Sequence, residues 1–367
     1  MNGLTVVAVV VILAGVSACM CVRPKSVCTE LKRLAPYLYE GRFTAHAGLG
    51  TVKPAGERPP ACSAVRNGDF YGRNLDFYYD DVAEVVVHLG AAPGRYASVA
   101  VCTDLVSTPE DFARGLSADR LAEIPCRAYD GINEKGVCCN VNVVPAADVP
   151  PLTGTNPGKP RLDSMEVVRM ILDRAGSARE ALELLQEYDI SGGLGVYSFH
   201  YMINDPQETY IVEFIGNEIR TTRQNIMVNF YHTLPAMTPF GSGRERYAIL
   251  KEHYAEGTSR DGMAELMRRV RYTQAYSRAT DPFWYTEFVM CKGADGRKLT
   301  TASSPEEFRP VVDDLIAKNA VRSRATGKAD DIWHTVHTSV YDIPKRALRL
   351  FVQEDYSRPF DFSLATP

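Results

Sequence analysis

One bond break before Cys62 would turn that residue into a nucleophile and its own base. It follows Pro59-Pro60-Ala61 and opens a strand-rich stretch. A cut between Ala61 and Cys62 would leave the thiol and a free α-amine on the same residue. Such an amine has a reference pKa of about 7.7 to 8.0, so a good fraction is neutral near neutral pH. It can take the thiol proton directly or through a water, and no separate histidine is needed. The chain has seven histidines, and none sits in a recognisable Cys–His signature. A papain-like pair is not excluded by that, because its partners meet only in space. There is no Walker loop, no GxGxxG after a strand and no HExxH motif. The chemistry expected therefore calls for no cofactor and no metal.

The 367 residues carry 41 basic and 45 acidic side chains, a net charge of 41 − 45 = −4. A weakly acidic chain without runs of like charge is a poor match for nucleic acid, which needs a basic stripe to meet phosphates. Disorder is excluded by 14 Phe and 19 Tyr among plentiful Val, Ile and Leu. The length suits one large domain or two modest ones. Nine cysteines is an odd number, so at least one is unpaired. Cys138-Cys139 reads as a buried strand segment rather than a vicinal disulfide or a metal site.

Residues 6–16, VVAVVVILAGV, form an apolar run of 11 residues with no Lys or Arg before Arg23. That is short for about 30 Å of hydrocarbon and fits the core of a signal peptide. Val16-Ser17-Ala18-Cys19 resembles a bacterial lipobox. Removal of residues 1–18 would then expose a Cys19 that takes a diacylglycerol and tethers the chain to a membrane. Secretion after Ala18 and an uncleaved anchor are the alternatives. An exported protein, membrane-anchored or periplasmic to secreted, is the expectation.

The elements that must position Cys62 are legible as short strands and separate helices. Residues 19–61, with Pro24, Pro36, Pro54, Pro59 and Pro60, read as a connecting, propeptide-like piece, and residues 62–367 as one catalytic domain. Strands are expected over Asp69 to Phe77, Glu84 to His88 and Ala97 to Thr103, with a strand pair over Gly136 to Val144. A helix fits Ser164 to Tyr188, broken near Gly176-Ser177. Strands follow over Ser198 to Asn204, Thr209 to Ile215, Ile219 to Thr222 and Ile226 to Phe230. Helices fit Glu245 to His253, Gly262 to Arg271 and Glu306 to Lys318, and strands His334 to Asp342 and Ala347 to Gln353 close the chain. Hairpins grouped apart from helix blocks indicate an α+β fold with antiparallel sheets rather than a doubly wound parallel sheet.

Four stretches in order then carry a resemblance. Cys62 with Gly72-Arg73-Asn74-Leu75-Asp76, Asp130-Gly131-Ile132-Asn133-Glu134-Lys135-Gly136, Phe199 to Asp205 with Val212-Glu213-Phe214, and Asn225-Ile226-Met227-Val228-Asn229 resemble the choloylglycine hydrolase family. That group holds the bile salt hydrolases and penicillin V acylases, N-terminal nucleophile hydrolases related to acyltransferases and acid ceramidases. The resemblance runs from about Cys62 to about Val352. It implies two stacked antiparallel sheets between helical layers, an αββα sandwich. It also implies Cys62 as a nucleophile exposed by autoproteolysis, Arg73 beside the thiol favouring the thiolate, and Asp76 orienting the α-amine. Asn229 would help hold substrate and oxyanion. For the second oxyanion donor Asn142 is chosen over Asn140, both on one face of a strand, and for the late arginine Arg246 over Arg244. The hairpin between Cys62 and Arg73 is shorter than in bile salt hydrolases, and Ser63 stands where threonine is usual.

The function so implied is hydrolysis of a linear, non-peptide amide of the bile-salt, penicillin V, N-acyl homoserine lactone or lipid-amide type. An apolar acyl group would suit the neighbourhood of Phe70, Phe77, Tyr78 and Tyr79. An acyltransferase passing the acyl group to an amine, and a non-catalytic exported binding lipoprotein, are the alternatives. Self-association is left open.

Overall fold

The computed structural model describes residues 27–50, 61–77, 83–104, 107, 109–145, 149–192, 197–234, 243–271 and 334–364. Two strands, β1 (Cys28–Ala35) and β2 (Leu38–Phe43), come before Cys62, and β3 (Ala61–Asn67) and β4 (Phe70–Phe77) form the hairpin that contains it. β5 (Ala83–Leu89) and β6 (Ser98–Asp104) lead to the short helices α1 (Pro109–Arg114) and α2 (Ala118–Glu123). A second hairpin, β7 (Ala128–Asn133) and β8 (Cys138–Pro145), is followed by β9 (Arg161–Asp163), α3 (Val167–Arg174), α4 (Ala178–Leu185) and β10 (Asp189–Ser191). The meander β11 (Tyr197–Asn204), β12 (Thr209–Ile215) and β13 (Glu218–Thr222) precedes β14 (Ile226–Met227), α5 (Arg244–Glu252) and α6 (Arg260–Arg269). β15 (His334–Asp342), β16 (Ala347–Val352) and β17 (Phe360–Ser363) end the described chain.

The larger sheet runs β1-β2-β5-β6-β7-β8-β11-β12-β13 and the smaller β14-β3-β4-β15-β16-β17. Alternation along each strand sends one set of side chains to each face. Val86, Val99, Val101, Ile132 and Met202 of the larger sheet meet Ala64, Tyr71, Tyr341 and Leu350 of the smaller one, so the sheets are stacked. On its other face the larger sheet packs Val85, Ala100 and Val143 against Val168, Ile171 and Leu172 of α3. The smaller sheet packs Val65 and Val340 against Met263 and Met267 of α6. Helix, sheet, sheet, helix is the layering expected. Two glycines show how tightly the outer layers sit. A Cβ on Gly72 would lie 2.7 Å from Met263 Sδ, and one on Gly131 would lie 2.5 Å from Leu172 Cδ1.

Three expectations need correction. Residues 19–61 are not merely connecting: β1 and β2 lie within them, and Leu38, Tyr39 and Phe43 are buried. The prolines misled, because Pro36 falls in the turn between the two strands, where it interrupts no ladder. The larger sheet is not wholly antiparallel, since β2 pairs parallel to β5 from Leu38↔Glu84 to Phe43↔Leu89. The strand pair expected over Gly136 to Val144 is the hairpin of β7 and β8, with Gly136 at φ +83 in its turn. The break in the helix falls as expected, where Ser177 accepts a hydrogen bond from the Glu180 amide and caps α4. Residues 1–18, Cys19, Cys21, Tyr78, Tyr79, Cys291 and the helix at Glu306 to Lys318 lie outside the described residues.

Candidate active site

The hairpin of β3 and β4 turns at Gly68, at φ +56, with Ala61↔Asp76, Cys62↔Leu75 and Ala64↔Arg73 as cross-strand partners. Cys62 and Arg73 both point inward between the sheets and are fully buried. Both ends of the hairpin therefore face the same way. Arg73 Nη2 donates to Cys62 Sγ at 3.3 Å and to the Val141 carbonyl at 3.2 Å.

The backbone of Cys62 is gripped from the other side. Its N–H donates to Asn229 Oδ1 at 2.9 Å, and its carbonyl accepts from Arg246 Nη1 at 2.7 Å. Arg246 also donates to Ser63 Oγ at 2.6 Å and to Asn229 Oδ1 at 2.9 Å, and it lies 3.5 Å from Asp76 Oδ2. The Ser63 hydroxyl is thus in use although threonine was expected there. Thr335 Oγ1 donates to Asp76 Oδ1 at 2.6 Å. Arg246 is fully buried, whereas Arg244 is exposed at the start of α5.

β8 supplies the third wall. Its pairing with β7 ends at Asp130↔Asn140. Beyond that point the Val141 carbonyl accepts from Arg73, and the Val143 carbonyl accepts from Asn229 Nδ2 at 2.7 Å. The two candidate asparagines are linked, Asn140 Nδ2 donating to Asn142 Oδ1 at 2.6 Å, and Tyr71 OH donates to Asn140. Asn140 is occupied at both ends; Asn142 Nδ2 is buried with no hydrogen-bond partner among the described residues. The structure therefore brings Cys62, Arg73, Asp76, Asn229 and Arg246 into one cluster, with Asn142 on the adjoining strand.

Burial, opposed by Arg73, pushes the Cys62 thiol up to about 11. Arg73 stands beside the thiol, but desolvation outweighs it. Cys138 and Cys139 are free and buried, on opposite faces of β8, as a strand segment requires.

Sequence reasoning passed over a charged group behind Arg73. Asp130 Oδ2 accepts from Arg73 Nη1 at 2.8 Å and from His337 Nε2 at 2.9 Å, and Oδ1 accepts from Ser339 Oγ at 2.8 Å and from Tyr341 OH. His337 Nδ1 reaches Glu84 Oε2 at 3.1 Å, and Thr103 Oγ1 donates to the same carboxylate. Burial would raise the Asp130 pKa, but His337 and Arg73 bring it down to about 2. Burial works against a charged His337 too, and Glu84 and Asp130 outweigh it and raise its pKa. The signs oppose one another. The depressed Asp130 contributes stability that is present above the unfolded value near 4 and lost as pH falls through about 2. The raised His337 contributes stability that is present below about 6.5 and lost as pH rises through its folded value. Thermal melts between about pH 5 and pH 2 are expected to lose about 2 kcal/mol through Asp130, and Asp130→Asn should flatten that limb.

The aromatic neighbourhood also needs correction. Phe70 pairs with Asn67 at the turn end of the hairpin, remote from Cys62↔Leu75, and packs on the α6 side. The rings that follow the site residues in sequence are Phe230 and Tyr247, with centroids 5.4 Å apart in an edge-on contact, and His232 lies 4.7 Å from Phe230. Together with Gln224 and Arg244 they line an open cleft.

Among known proteins, residues 64–230 match the family described as linear amide C–N hydrolases, choloylglycine hydrolase family. That stretch includes Arg73, Asp76, Asn142 and Asn229 and stops short of Cys62 and Arg246. Among solved structures, the chain is similar to a mutant of the conjugated bile acid hydrolase from Clostridium perfringens, at 14% identity and TM-score 0.42, covering 83% of this chain and 92% of that one. It is also similar to penicillin V acylase from Agrobacterium tumefaciens, at 17% identity and TM-score 0.39, covering 80% and 83%. No curated protein sequence matches.

Proposed function

We propose that the chain is a linear amide C–N hydrolase of the choloylglycine hydrolase family, whose model residues 64–230 match, and that Cys62, freed at its amino group, is the nucleophile. The coarse activity rests on that match, and the route on the geometry around Cys62. The observation that carries it is the convergence on one residue: Arg73 on the thiol, Asn229 on the N–H and Arg246 on the carbonyl of Cys62.

In the first step Cys62 Sγ attacks the Ala61 carbonyl, the Ala61–Cys62 bond breaks, and the Cys62 nitrogen leaves as an amine. Water hydrolyses the resulting thioester, giving an Ala61 carboxylate and a free thiol. Asp76 is the cross-strand partner of Ala61, which supports a role in holding the new amine. In the second reaction the amine takes the thiol proton and the sulfur adds to the substrate carbonyl. An amide NH2 carries two donors, so Asn229 retains one after bonding Val143. That N–H and the unpartnered Asn142 Nδ2 are the donors available to the oxyanion. The amine passes its proton to the leaving amine, the C–N bond breaks, and water activated by the same amine hydrolyses the thioester.

The substrate we favour is a linear amide with an apolar acyl group, of the bile-salt, penicillin V or N-acyl-lipid type. It rests on the family match over residues 64–230. Export with a lipid on Cys19 belongs to the same proposal and rests on residues 6–19. Intact mass and N-terminal sequencing of purified protein should find a piece beginning at Cys62, 367 − 61 = 306 residues. A panel of amides, with and without a competing amine, should yield free acid. An uncut chain that turns over substrate overturns the route, and acyl transfer to the amine favours the acyltransferase reading.

A further inference from the structure

We propose that His337 is a positioning residue for the reaction, an imidazolium held between Glu84 and Asp130 that keeps the Arg73 guanidinium turned toward the Cys62 sulfur. The inference rests on Cys62 as the nucleophile and concerns the residues behind it.

Four elements meet at this point. Arg73 lies on β4, His337 on β15, Asp130 on β7 and Glu84 on β5, and all four side chains are buried between the two sheets. Both ring nitrogens of His337 lie within hydrogen-bond distance of a carboxylate oxygen, at 3.1 Å and 2.9 Å. A neutral imidazole has one N–H; only the cation can donate from both nitrogens. Charge gives the same answer. With His337 charged, two cations face two anions and the buried group is neutral. With His337 neutral, one carboxylate is left uncompensated in a dry interior, which is strongly unfavourable. The uncharged groups around it are donors that complete the carboxylates: Thr103 on Glu84, and Ser339 and Tyr341 on Asp130.

The consequence for Arg73 follows from sharing. Arg73 Nη1 and His337 Nε2 lie 2.9 Å apart because both donate to Asp130 Oδ2. Asp130 is therefore not the private partner of Arg73, and Nη2 remains for Cys62 Sγ and the Val141 carbonyl. Without His337 the guanidinium gains a carboxylate of its own, and the sulfur loses two sources of positive potential at once. Arg73 also lies over the Tyr129 ring, 5.9 Å from its centroid, which limits the directions in which it can swing.

The test uses His337→Gln and the double variant Glu84→Gln with His337→Gln, in which Arg73 and Asp130 balance alone and the fold has no stranded charge. Cys62 alkylation by iodoacetamide is followed against pH in processed enzyme, with kcat, KM, intact mass and a thermal melt on the same samples. The thiol pKa is expected to rise by about one unit, about a tenfold loss of thiolate near neutral pH. Turnover should fall tenfold or more, with KM within about twofold. Slower cutting of a folded chain counts for the proposal, because the same thiol makes that attack. If the double variant fails to fold, Glu84→Gln alone decides: it should draw the alkaline fall of kcat to lower pH, as the imidazolium keeps one carboxylate instead of two. A folded variant with unchanged alkylation profile and kcat overturns the proposal. Failure of the Cys62 reading looks different, since wild type would then be uncut and indifferent to iodoacetamide.

Discussion

Cys62→Ala is expected to give a folded chain that stays in one piece and turns over no amide, with kcat lower by about 10⁴-fold or more. Deleting the sulfur removes the attacking atom of both the cut and the catalytic step. It removes little else. The Cys62 N–H still donates to Asn229 and its carbonyl still accepts from Arg246, because those are backbone bonds. The alanine side chain fits the same inward-facing place on β3, at a cost of about 1 kcal/mol for the lost packing. Intact mass, a thermal melt and the amide panel read the three parts separately. A variant still cut at Ala61–Cys62, or still active, would remove Cys62 from the mechanism.

The second large effect concerns the piece on the other side of the cut. Residues 27–61 should remain bound after cleavage, co-eluting with the larger piece under native conditions and separating only in denaturant. β2 is an interior strand of the larger sheet, with β1 on one side and β5 on the other. Leu38, Tyr39 and Phe43 are buried, and three such side chains contribute about 5 to 9 kcal/mol. Further on, His46 Nε2 lies 2.9 Å from Asp173 Oδ2, and the Gly50 N–H donates to Glu166. A chain begun at Cys62 would present the bare edge of β5, an invitation to aggregate, and would uncover the strand that carries Glu84. Such a chain should be insoluble or lose nearly all activity. If it proves soluble with wild-type kcat, the segment is a dispensable leader. Were Cys19 lipidated, the tether would hold the enzyme through strand pairing rather than a covalent link.

The α+β class was legible in the sequence because hairpin strands and helix blocks are separated along the chain, and separation needs no tertiary knowledge; the four-layer order came only with the family resemblance. Cys62 stands out by its place after Pro59-Pro60-Ala61, and Arg73 and Asp76 by the resemblance that Gly72 to Asp76 carries; the structure sets the three close together. Arg246 and Arg244 could not be told apart in the same way, because only docking of α5 decides which of two neighbouring side chains is buried. Glu84 and His337 had no local signature at all. Glu84 precedes an apolar run on β5, His337 stands among other polar residues on β15, and the two meet across 253 positions. Phe70 misled for a related reason: it belongs to the hairpin that carries Cys62 but sits at its opposite end. β1 and β2 are hidden in a proline-rich stretch, although only the position of a proline within the ladder bears on a strand.

If Ala61–Cys62 is cut as proposed, the parallel pairing of β2 with β5 gives the protein a history that its final form would not record. Before the cut, β2 is delivered to its neighbour by a connecting chain, and closing that loop is a unimolecular event with a modest entropic cost. After the cut the same ladder holds two separate molecules, and remaking it requires an encounter whose rate depends on concentration. Precursor and mature protein can share one set of contacts and still differ in reversibility. The precursor should refold from denaturant at any dilution, whereas the mature form should recover less the more dilute it is, so that its durability is set by the rate of unfolding.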